Sequence, residues 1–172
     1  MRIYYGSAFN PPTRAHMEII RRLSSNPNDQ LYVGLADHPY KEFAYDGRQR
    51  REMLLAAMRC QGLARRGNVE LVMQDERTWK FLSFSIPEKE MEAIALGEDE
   101  WNDLLAGKWQ YSNLILEKYH CIVVPRRNGI SSSTIREWIA NGRKYDAEIG
   151  QFIDEPVYEL AARYYRKGGN NE

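Results

Sequence analysis

The chain carries the stretch Gly6-Ser7-Ala8-Phe9-Asn10-Pro11-Pro12-Thr13-Arg14-Ala15-His16 directly after its first apolar run, where a helical pattern begins. A second stretch of this kind, Ile130-Ser131-Ser132-Ser133-Thr134-Ile135-Arg136, follows a later apolar run. Each stretch leaves the first N–H groups of a helix unpaired and presents the positive end of the helix dipole. Two such helix starts predict a clamp for phosphate groups.

Each helix start also carries a cationic side chain about one turn into the helix. His16 lies three residues after Thr13, and Arg136 lies three residues after Ser133, so each pair shares one helix face near the anion. Either stretch alone is equally typical of an ordinary helix N-cap. Two of them, each with a cation beside a hydroxyl donor, favour a site for a polyphosphate.

Short apolar runs alternate with helical patterns along the whole chain. This alternation predicts a doubly wound, Rossmann-like α/β fold, with a mostly parallel sheet of about five strands and helices on both faces. Such folds bind ligands at the carboxyl ends of their strands, where both stretches lie. The predicted strands are 3–5, 31–35, 69–73, 93–96 and 121–124, and the predicted helices are 14–23, 47–65, 78–84, 111–118, 132–140 and 155–166.

Length and composition limit the classes of protein to consider. The 172 residues predict a single domain over residues 1–166 with a frayed tail at 167–172. The 24 basic and 24 acidic side chains cancel, so no overall charge favours nucleic acid or a membrane surface as a partner. No apolar run approaches the roughly 18 residues of a membrane span, and no signal peptide precedes the first stretch, which predicts a cytoplasmic protein.

The two cysteines, Cys60 and Cys121, lack the spacing of a zinc site or of a disulfide framework. We therefore predict no metal site built by the protein. The sequence leaves open whether the chain forms a homo-oligomer.

At this level of detail the two stretches resemble the G-G-T-F-D-P-x-H/T-x-G-H and I-S-S-T-x-I-R signatures of the nucleotidyltransferase superfamily. The middle of the chain resembles the bacterial nicotinate and nicotinamide mononucleotide adenylyltransferases. Residues 38–41, followed by Arg50 before Met53-Leu54, are similar to their P-P-H-K and R-x-x-M-L elements, and residues 96–99 with Trp109 are similar to their G-x-D element and tryptophan. The resemblance covers nearly the whole chain.

This resemblance implies that a mononucleotide phosphate attacks the α-phosphorus of ATP, giving a dinucleotide and pyrophosphate, with Mg²⁺ bridging the phosphates. It implies His16 at the α- and β-phosphates with Thr13 as a weaker donor, and Arg136 at the β- and γ-phosphates. The residues that it implies for ATP binding are Gly6, Ser7, Ala8, Phe9, Ser132, Ser133 and Arg127. Those predicted for acceptor binding are Lys41, Arg50, Asp99 and Trp109, with Trp79 as a second wall for a pyridine ring.

Several positions depart from the pyridine-nucleotide pattern. Thr13 stands where that branch has its first histidine, as in phosphopantetheine adenylyltransferases, and Ala15 replaces a glycine. Two alternatives therefore stay open: transfer to another phosphorylated acceptor, such as phosphopantetheine or an alcohol phosphate, and a nucleotide-binding regulator without turnover. Retention of His16 and Arg136 opposes the regulator, whereas Trp109 and the match around Asp99 favour the pyridine acceptor.

The remaining aromatic and charged residues complete the predictions. Arg77 and Lys80, on either side of Trp79, favour nicotinic acid mononucleotide over nicotinamide mononucleotide, because a ring carboxylate needs a cation or N–H donors. Trp101 and Trp138 are assigned to packing. His38 and His120 are interpreted as surface or hydrogen-bonded histidines.

Overall fold

A computed structural model describes residues 1–125 and 130–169 of the chain. Their strands form one parallel sheet in the order β3-β2-β1-β4-β5. This confirms the predicted Rossmann-like α/β fold, and each strand runs slightly beyond its predicted bounds. The strands are β1 (Arg2–Ser7), β2 (Gln30–Ala36), β3 (Val69–Gln74), β4 (Ala93–Gly97) and β5 (His120–Val124).

The helices connect these strands on both faces of the sheet. The described α-helices are α1 (Arg14–Leu23), α2 (Gly47–Cys60), α3 (Thr78–Lys80), α4 (Glu98–Leu105), α5 (Ser112–Lys118), α6 (Ser132–Ala140) and α7 (Glu155–Gly169). Helices α1 and α6 have the predicted bounds because a side chain caps each start. The Thr13 hydroxyl accepts from the His16 N–H, and the Ser131 hydroxyl accepts from the Thr134 N–H.

Helix α2 ends earlier than predicted, at Cys60 rather than residue 65. The cause is Gly62, which takes a left-handed conformation with φ of +69°. Its N–H donates to the Arg59 carbonyl at 3.2 Å, and the Leu63 N–H donates to the Met58 carbonyl at 2.8 Å. These two bonds form the Schellman motif that terminates a helix.

Two further segments differ from the prediction. The predicted helix over 78–84 is one α-helical turn, α3, followed by a π-helical turn at Phe81–Ser85. Helix α4 was not predicted, because its sequence lacks a clear apolar period. Its first turn carries Glu98, Asp99 and Glu100, and these carboxylates are stabilised there by the positive end of the helix dipole.

Alternating residues of the strands belong to two apolar cores, one on each face of the sheet. Ile3 and Tyr5 of β1 face the core formed with α1, α2, α6 and α7. Tyr4, between them, faces the smaller core formed with the π-helical turn, α4 and α5. Trp138 packs against the first core and Trp101 against the second, as predicted.

The strand order reverses between β1 and β4, which lie side by side but are separated by two other strands in sequence. At such a switch point the loops after the two strands diverge and leave a crevice for a ligand. The stretch at residues 6–16 follows β1, so the fold places it at this crevice. Along the described residues, no helix has both the length and the apolar character to span a bilayer.

Candidate active site

Two cavities open at the switch point. The first, of about 390 Å³, is lined by residues that include Trp109 and Lys41, and we call it the Trp109 cavity. The second, of about 340 Å³, is lined by residues that include His16 and Ser132, and we call it the His16 cavity. Ser7 and Glu100 line both cavities, so the two cavities lie side by side at these residues.

His16 is held in one orientation and one protonation state. Its Nδ1 accepts a hydrogen bond from the Thr13 N–H at 2.9 Å, and its ring packs against the Phe9 ring with centroids 4.9 Å apart. Burial lowers the pKa of His16 to about 4, so the imidazole is neutral near pH 7. Because Nδ1 is the acceptor, the single ring proton lies on Nε2, 3.4 Å from the Ser7 hydroxyl. His16 therefore offers one N–H donor beside Ser7, which lines both cavities.

Thr13 acts through His16. Its hydroxyl accepts from the His16 N–H at 3.3 Å and lies 3.0 Å from His16 Nδ1. The side chain of Thr13 is buried, and the residue lines the His16 cavity. The structure thus shows Thr13 as the cap that orients His16, a role that the identity of the residue alone did not reveal.

The loop between β1 and α1 is held by two side chains of α6. The guanidinium of Arg136 donates to the Asn10 carbonyl at 2.6 Å, and the Ser132 hydroxyl donates to the Pro11 carbonyl at 2.8 Å. Phe9 in this loop is buried with φ of +49°, a conformation that is uncommon for a residue with a side chain. These bonds tie the start of α6 to the first stretch, as the two-helix clamp requires.

Arg50 is the most heavily bonded side chain near the site and is fully buried. Its guanidinium donates to the Ala8 carbonyl at 2.9 Å, the Ala36 carbonyl at 2.6 Å and the Tyr45 carbonyl at 3.0 Å. It also pairs with Asp37 at 2.8 Å. Arg50 lies behind the cavities rather than in their walls, and it joins the loop after β1 to both ends of the loop after β2.

The structure places the residues predicted for acceptor binding in different locations. Lys41 and Trp109 line the Trp109 cavity together. Asp99 lines the His16 cavity instead. Trp79 packs against Tyr119, with ring centroids 6.2 Å apart, and is not among the residues that line either cavity.

The residues predicted for ATP also lie in different places. Ser7 lines both cavities, whereas Gly6 and Ala8 line the Trp109 cavity. A Cβ on Gly6 would come within 3.0 Å of the Gln74 and Tyr4 side chains, so this glycine leaves room for them. Ser132 lines the His16 cavity, Ser133 is exposed and hydrogen-bonds Ser131 at 2.7 Å, and Arg127 lies outside the described residues.

Glu100 belongs to the site although sequence reasoning missed it. Its Oε1 accepts from the Gly97 N–H at 3.3 Å, and burial raises the pKa of its carboxyl. The sequence feature that could have revealed Glu100 is the run of three acidic residues directly after an apolar strand. Such a run is typical of the first turn of a helix, and this helix was not predicted. Among the described residues, no three His, Cys, Asp or Glu side chains are grouped to hold a metal ion.

Comparison with known proteins agrees with this architecture. The family model described as cytidylyltransferase-like matches residues 4–138, which span β1 to α6 and therefore both halves of the clamp. The chain belongs to this nucleotidyltransferase family.

Individual relatives differ in the acceptor that their names state. A phosphopantetheine adenylyltransferase from Streptococcus pyogenes is 37% identical over 73 residues, which are 42% of this chain and 41% of the relative. The match therefore spans about two fifths of that protein.

Two solved structures extend over almost the whole chain. Both are of Plasmodium falciparum nicotinic acid mononucleotide adenylyltransferase. The one complexed with NaAD has a TM-score of 0.74 at 16% identity and covers 95% of each chain. The one complexed with APC has a TM-score of 0.72 at 16% identity and covers 95% of this chain and 94% of the other. At this identity the likeness shows a shared fold.

Proposed function

We propose that this protein transfers the AMP moiety of Mg²⁺-bound ATP to a pyridine mononucleotide and releases pyrophosphate, with nicotinic acid mononucleotide as the preferred acceptor. The observation that carries the proposal is the pair of adjacent cavities that share Ser7 in their walls, beside the Nε2–H of His16. A dinucleotide product needs two nucleotide-sized spaces that meet where its phosphates lie. This reaction would place the protein in the biosynthesis of NAD.

The His16 cavity is the better candidate for ATP. It includes the starts of both α1 and α6, through Thr13 and Ser132, and helix starts favour phosphate groups. The acceptor phosphate is already an anion, so no protein base is needed to activate it. What the site must supply is alignment of the two substrates and donors for the charge that builds on the phosphate oxygens. The neutral His16 is suited to act as such a donor.

The Trp109 cavity is the better candidate for the acceptor. Lys41, Arg77 and Lys108 bring three cations to its walls against the single carboxyl of Glu100, and Trp109 brings an indole. An aromatic ring can stack on indole with roughly 0.5–2 kcal/mol. The excess of cations favours an acceptor whose ring carries a carboxylate in addition to its phosphate.

Phosphopantetheine is the second candidate acceptor. The 37% identity to a phosphopantetheine adenylyltransferase favours it, as does Thr13, and this acceptor also carries a phosphate. It has no aromatic ring to stack on Trp109. The deciding assay measures pyrophosphate release from Mg²⁺-ATP with nicotinic acid mononucleotide, nicotinamide mononucleotide and phosphopantetheine in parallel. The highest kcat/KM with phosphopantetheine would overturn the proposal in favour of this second candidate.

Arg77 and Lys80 provide a matched pair for testing the preference for the acid. Arg77 lines the Trp109 cavity, whereas Lys80 lies over the Tyr111 ring at 5.9 Å and is not among the cavity residues. We expect Arg77→Ala to lower the acid-over-amide ratio of kcat/KM by about tenfold, the scale of one charge-assisted hydrogen bond. Lys80→Ala should leave the ratio unchanged. Equal effects of the two variants would contradict this assignment of the ring pocket.

Substitutions of Arg136 test whether ATP binds at the start of α6. Arg136 Nη1 donates to the Asn10 carbonyl, and Arg136 is not among the residues that line either cavity; the proposal assigns its remaining N–H groups to the β- and γ-phosphates. We expect Arg136→Ala to raise the KM for ATP more than the KM for the acceptor. Arg136→Lys should restore only part of the loss, because an ammonium cannot bond a carbonyl and a phosphate with the geometry of a guanidinium. An unchanged KM for ATP in both variants would show that Arg136 only supports the loop.

A further inference from the structure

A tyrosine and a glutamine form a hydrogen-bonded pair in the wall of the Trp109 cavity. Tyr4 of β1 and Gln74, the last residue of β3, both line this cavity, and both residues are buried. The Tyr4 hydroxyl donates to Gln74 Oε1, so the pair reaches across β2, which lies between β1 and β3. Neither residue belongs to the stretches that resemble the motifs of the family.

Two glycines leave room for this pair. Gly6 and Gly34 are register partners in β1 and β2. A Cβ on Gly34 would lie 1.9 Å from the Tyr4 hydroxyl oxygen, and a Cβ on Gly6 would lie 3.0 Å from both Tyr4 and Gln74. Gly34 therefore has no space for a side chain while Tyr4 keeps this position. Four residues of three strands are thus fitted to one another.

The hydrogen bonds of the pair fix the orientation of the Gln74 amide. Oε1 accepts from the Tyr4 hydroxyl, and Nε2 donates to the Glu76 carbonyl at 2.9 Å. A flipped amide would set its oxygen against that carbonyl, where neither atom has a proton to donate. Burial raises the pKa of Tyr4, so its hydroxyl keeps its proton and remains the donor at neutral pH.

The Gln74 amide has one N–H group left for a ligand. A primary amide carries two N–H donors, and one of them is bonded to the Glu76 carbonyl. In the part of the chain that the structure describes, no group accepts from the second. Oε1 lies between the Tyr4 hydroxyl and Gly6, which leaves the nitrogen end of the amide for a ligand in the cavity.

The strand order places this amide away from the reacting phosphates. Ser7, which lines both cavities, belongs to β1, and Gln74 belongs to β3, two strands away. Neighbouring strands are about 4.8 Å apart, so β1 and β3 are separated by roughly 10 Å. In the proposed reaction the acceptor phosphate has to lie beside Ser7 to reach ATP in the adjacent cavity. The far end of the acceptor, which is its ring, then extends toward Gln74.

The charged groups next to Gln74 favour an anionic substituent on that ring. Arg77 lines the same cavity, and its guanidinium lies 4.0 Å from the Tyr40 ring. The Glu76 carboxylate accepts from the Tyr40 hydroxyl at 3.1 Å and from the Arg77 backbone N–H at 2.8 Å. The negative charge of Glu76 is therefore already bonded, whereas the Arg77 guanidinium faces the cavity wall.

We infer that the Tyr4–Gln74 pair distinguishes the substituent on the acceptor ring and selects the acid over the amide. The second N–H of Gln74 donates to an oxygen of the ring carboxylate, and Tyr4 is the positioning residue that holds the amide in this orientation. A carboxamide would also bring an NH2 group, for which the nitrogen end of Gln74 offers no acceptor. The inference rests on the proposed adenylyl transfer and adds a neutral donor of fixed direction to the charge of Arg77.

Substitutions of similar shape separate this role from folding. Tyr4→Phe removes only the hydroxyl, which frees the Gln74 amide to turn. The double variant Tyr4→Phe/Gln74→Met replaces both partners by apolar side chains of similar size, a change that is close to neutral for stability. Tyr32→Phe is the matched control. Tyr32 is the register partner of Tyr4 and packs in the same core, but it is not among the residues that line either cavity.

Calorimetry without ATP tests the inference on binding alone. The probes are nicotinic acid mononucleotide, nicotinamide mononucleotide and ribose 5-phosphate, which lacks the ring. We expect the double variant to lower the acid-over-amide ratio of affinities by about tenfold and Tyr4→Phe to lower it by about threefold. The affinity for ribose 5-phosphate should stay the same in every variant, and Tyr32→Phe should behave as the wild type. A ratio that neither variant changes would overturn the inference.

Steady-state kinetics separate a failure of this inference from a failure of the proposed function. We expect Tyr4→Phe to raise the KM for the acid and to leave kcat nearly unchanged, because the pair contacts the ring and not the reacting atoms. If the wild type prefers the acid and both variants keep that preference, the inference is wrong and the proposed function stands. If the wild type neither binds nor uses a pyridine mononucleotide, both are overturned.

Discussion

His16→Gln should lower the turnover number by about 10²–10³, the scale expected when one donor to the transition state is removed, without harming the fold. Glutamine is a usual residue at the third position of a capping box, so it can still accept from the Thr13 N–H as His16 Nδ1 does at 2.9 Å. Its amide N–H sits on a flexible side chain and is not held at the fixed position of the imidazole Nε2–H. The variant therefore separates the catalytic role of the ring from its capping role.

Pyrophosphate release and thermal unfolding, measured on the same preparations, test this prediction. His120→Gln is the matched control, because His120 is exposed at the first residue of β5, at the opposite end of the strands. With a pKa of about 4, His16 should contribute no inflection to the wild-type kcat/KM near neutral pH. Wild-type turnover in His16→Gln would refute the assignment.

Arg50→Met should cause the second large effect, a loss of acceptor kcat/KM by about 10², as expected when a site is displaced by about 1 Å. The substitution leaves the carbonyls of Ala8, Ala36 and Tyr45 without their common donor. We also expect a loss of unfolding free energy on the order of 3 kcal/mol, because buried acceptors are costly to leave unpaired. Arg50→Lys keeps the charge but cannot bond three segments at once, so it should recover only part of both losses.

Arg51→Met is the control for this experiment. Arg51 lies next to Arg50 on α2 and is exposed, so its loss should change neither quantity by much. Chemical denaturation gives the stability, and steady-state kinetics with each substrate varied give kcat/KM. If Arg50→Met is destabilised while its acceptor kcat/KM equals that of the wild type, Arg50 has a purely structural role.

The sequence predicted the fold well because the signals for it are local. Apolar runs of strand length alternate with helical patterns, and the caps at Thr13 and Ser131 set the starts of α1 and α6. It failed at α2, where Gly62 ends the helix, and at α4, whose acidic first turn stands in place of an apolar period. In both segments a local backbone feature outweighed hydrophobic periodicity.

The candidate site was less predictable, because its residues come from separate loops. Arg50 was predicted to bind the acceptor. Helix α2 carries several arginines, and their spacing in the sequence does not show which of them is buried. Asp99 was grouped with Trp109 because both match elements of the family that the sequence resembles, but the structure places them in different cavities. Glu100 was not selected, because it belongs to no motif, and His38 was interpreted as a surface or hydrogen-bonded histidine although it lies in the stretch similar to the P-P-H-K element.

The sequence by itself determined the alternation of strands and helices and the two phosphate-type helix starts. These properties depend on residues within a few positions of one another, where periodicity and capping are decided. Only the tertiary structure decided that the two starts face one crevice, that Arg50 supports three segments, and that Lys41 and Arg77 line one cavity with Trp109. Those relations depend on the strand order, which brings the carboxyl ends of β1, β2, β3 and β4 to one edge of the sheet and so joins loops far apart in the chain.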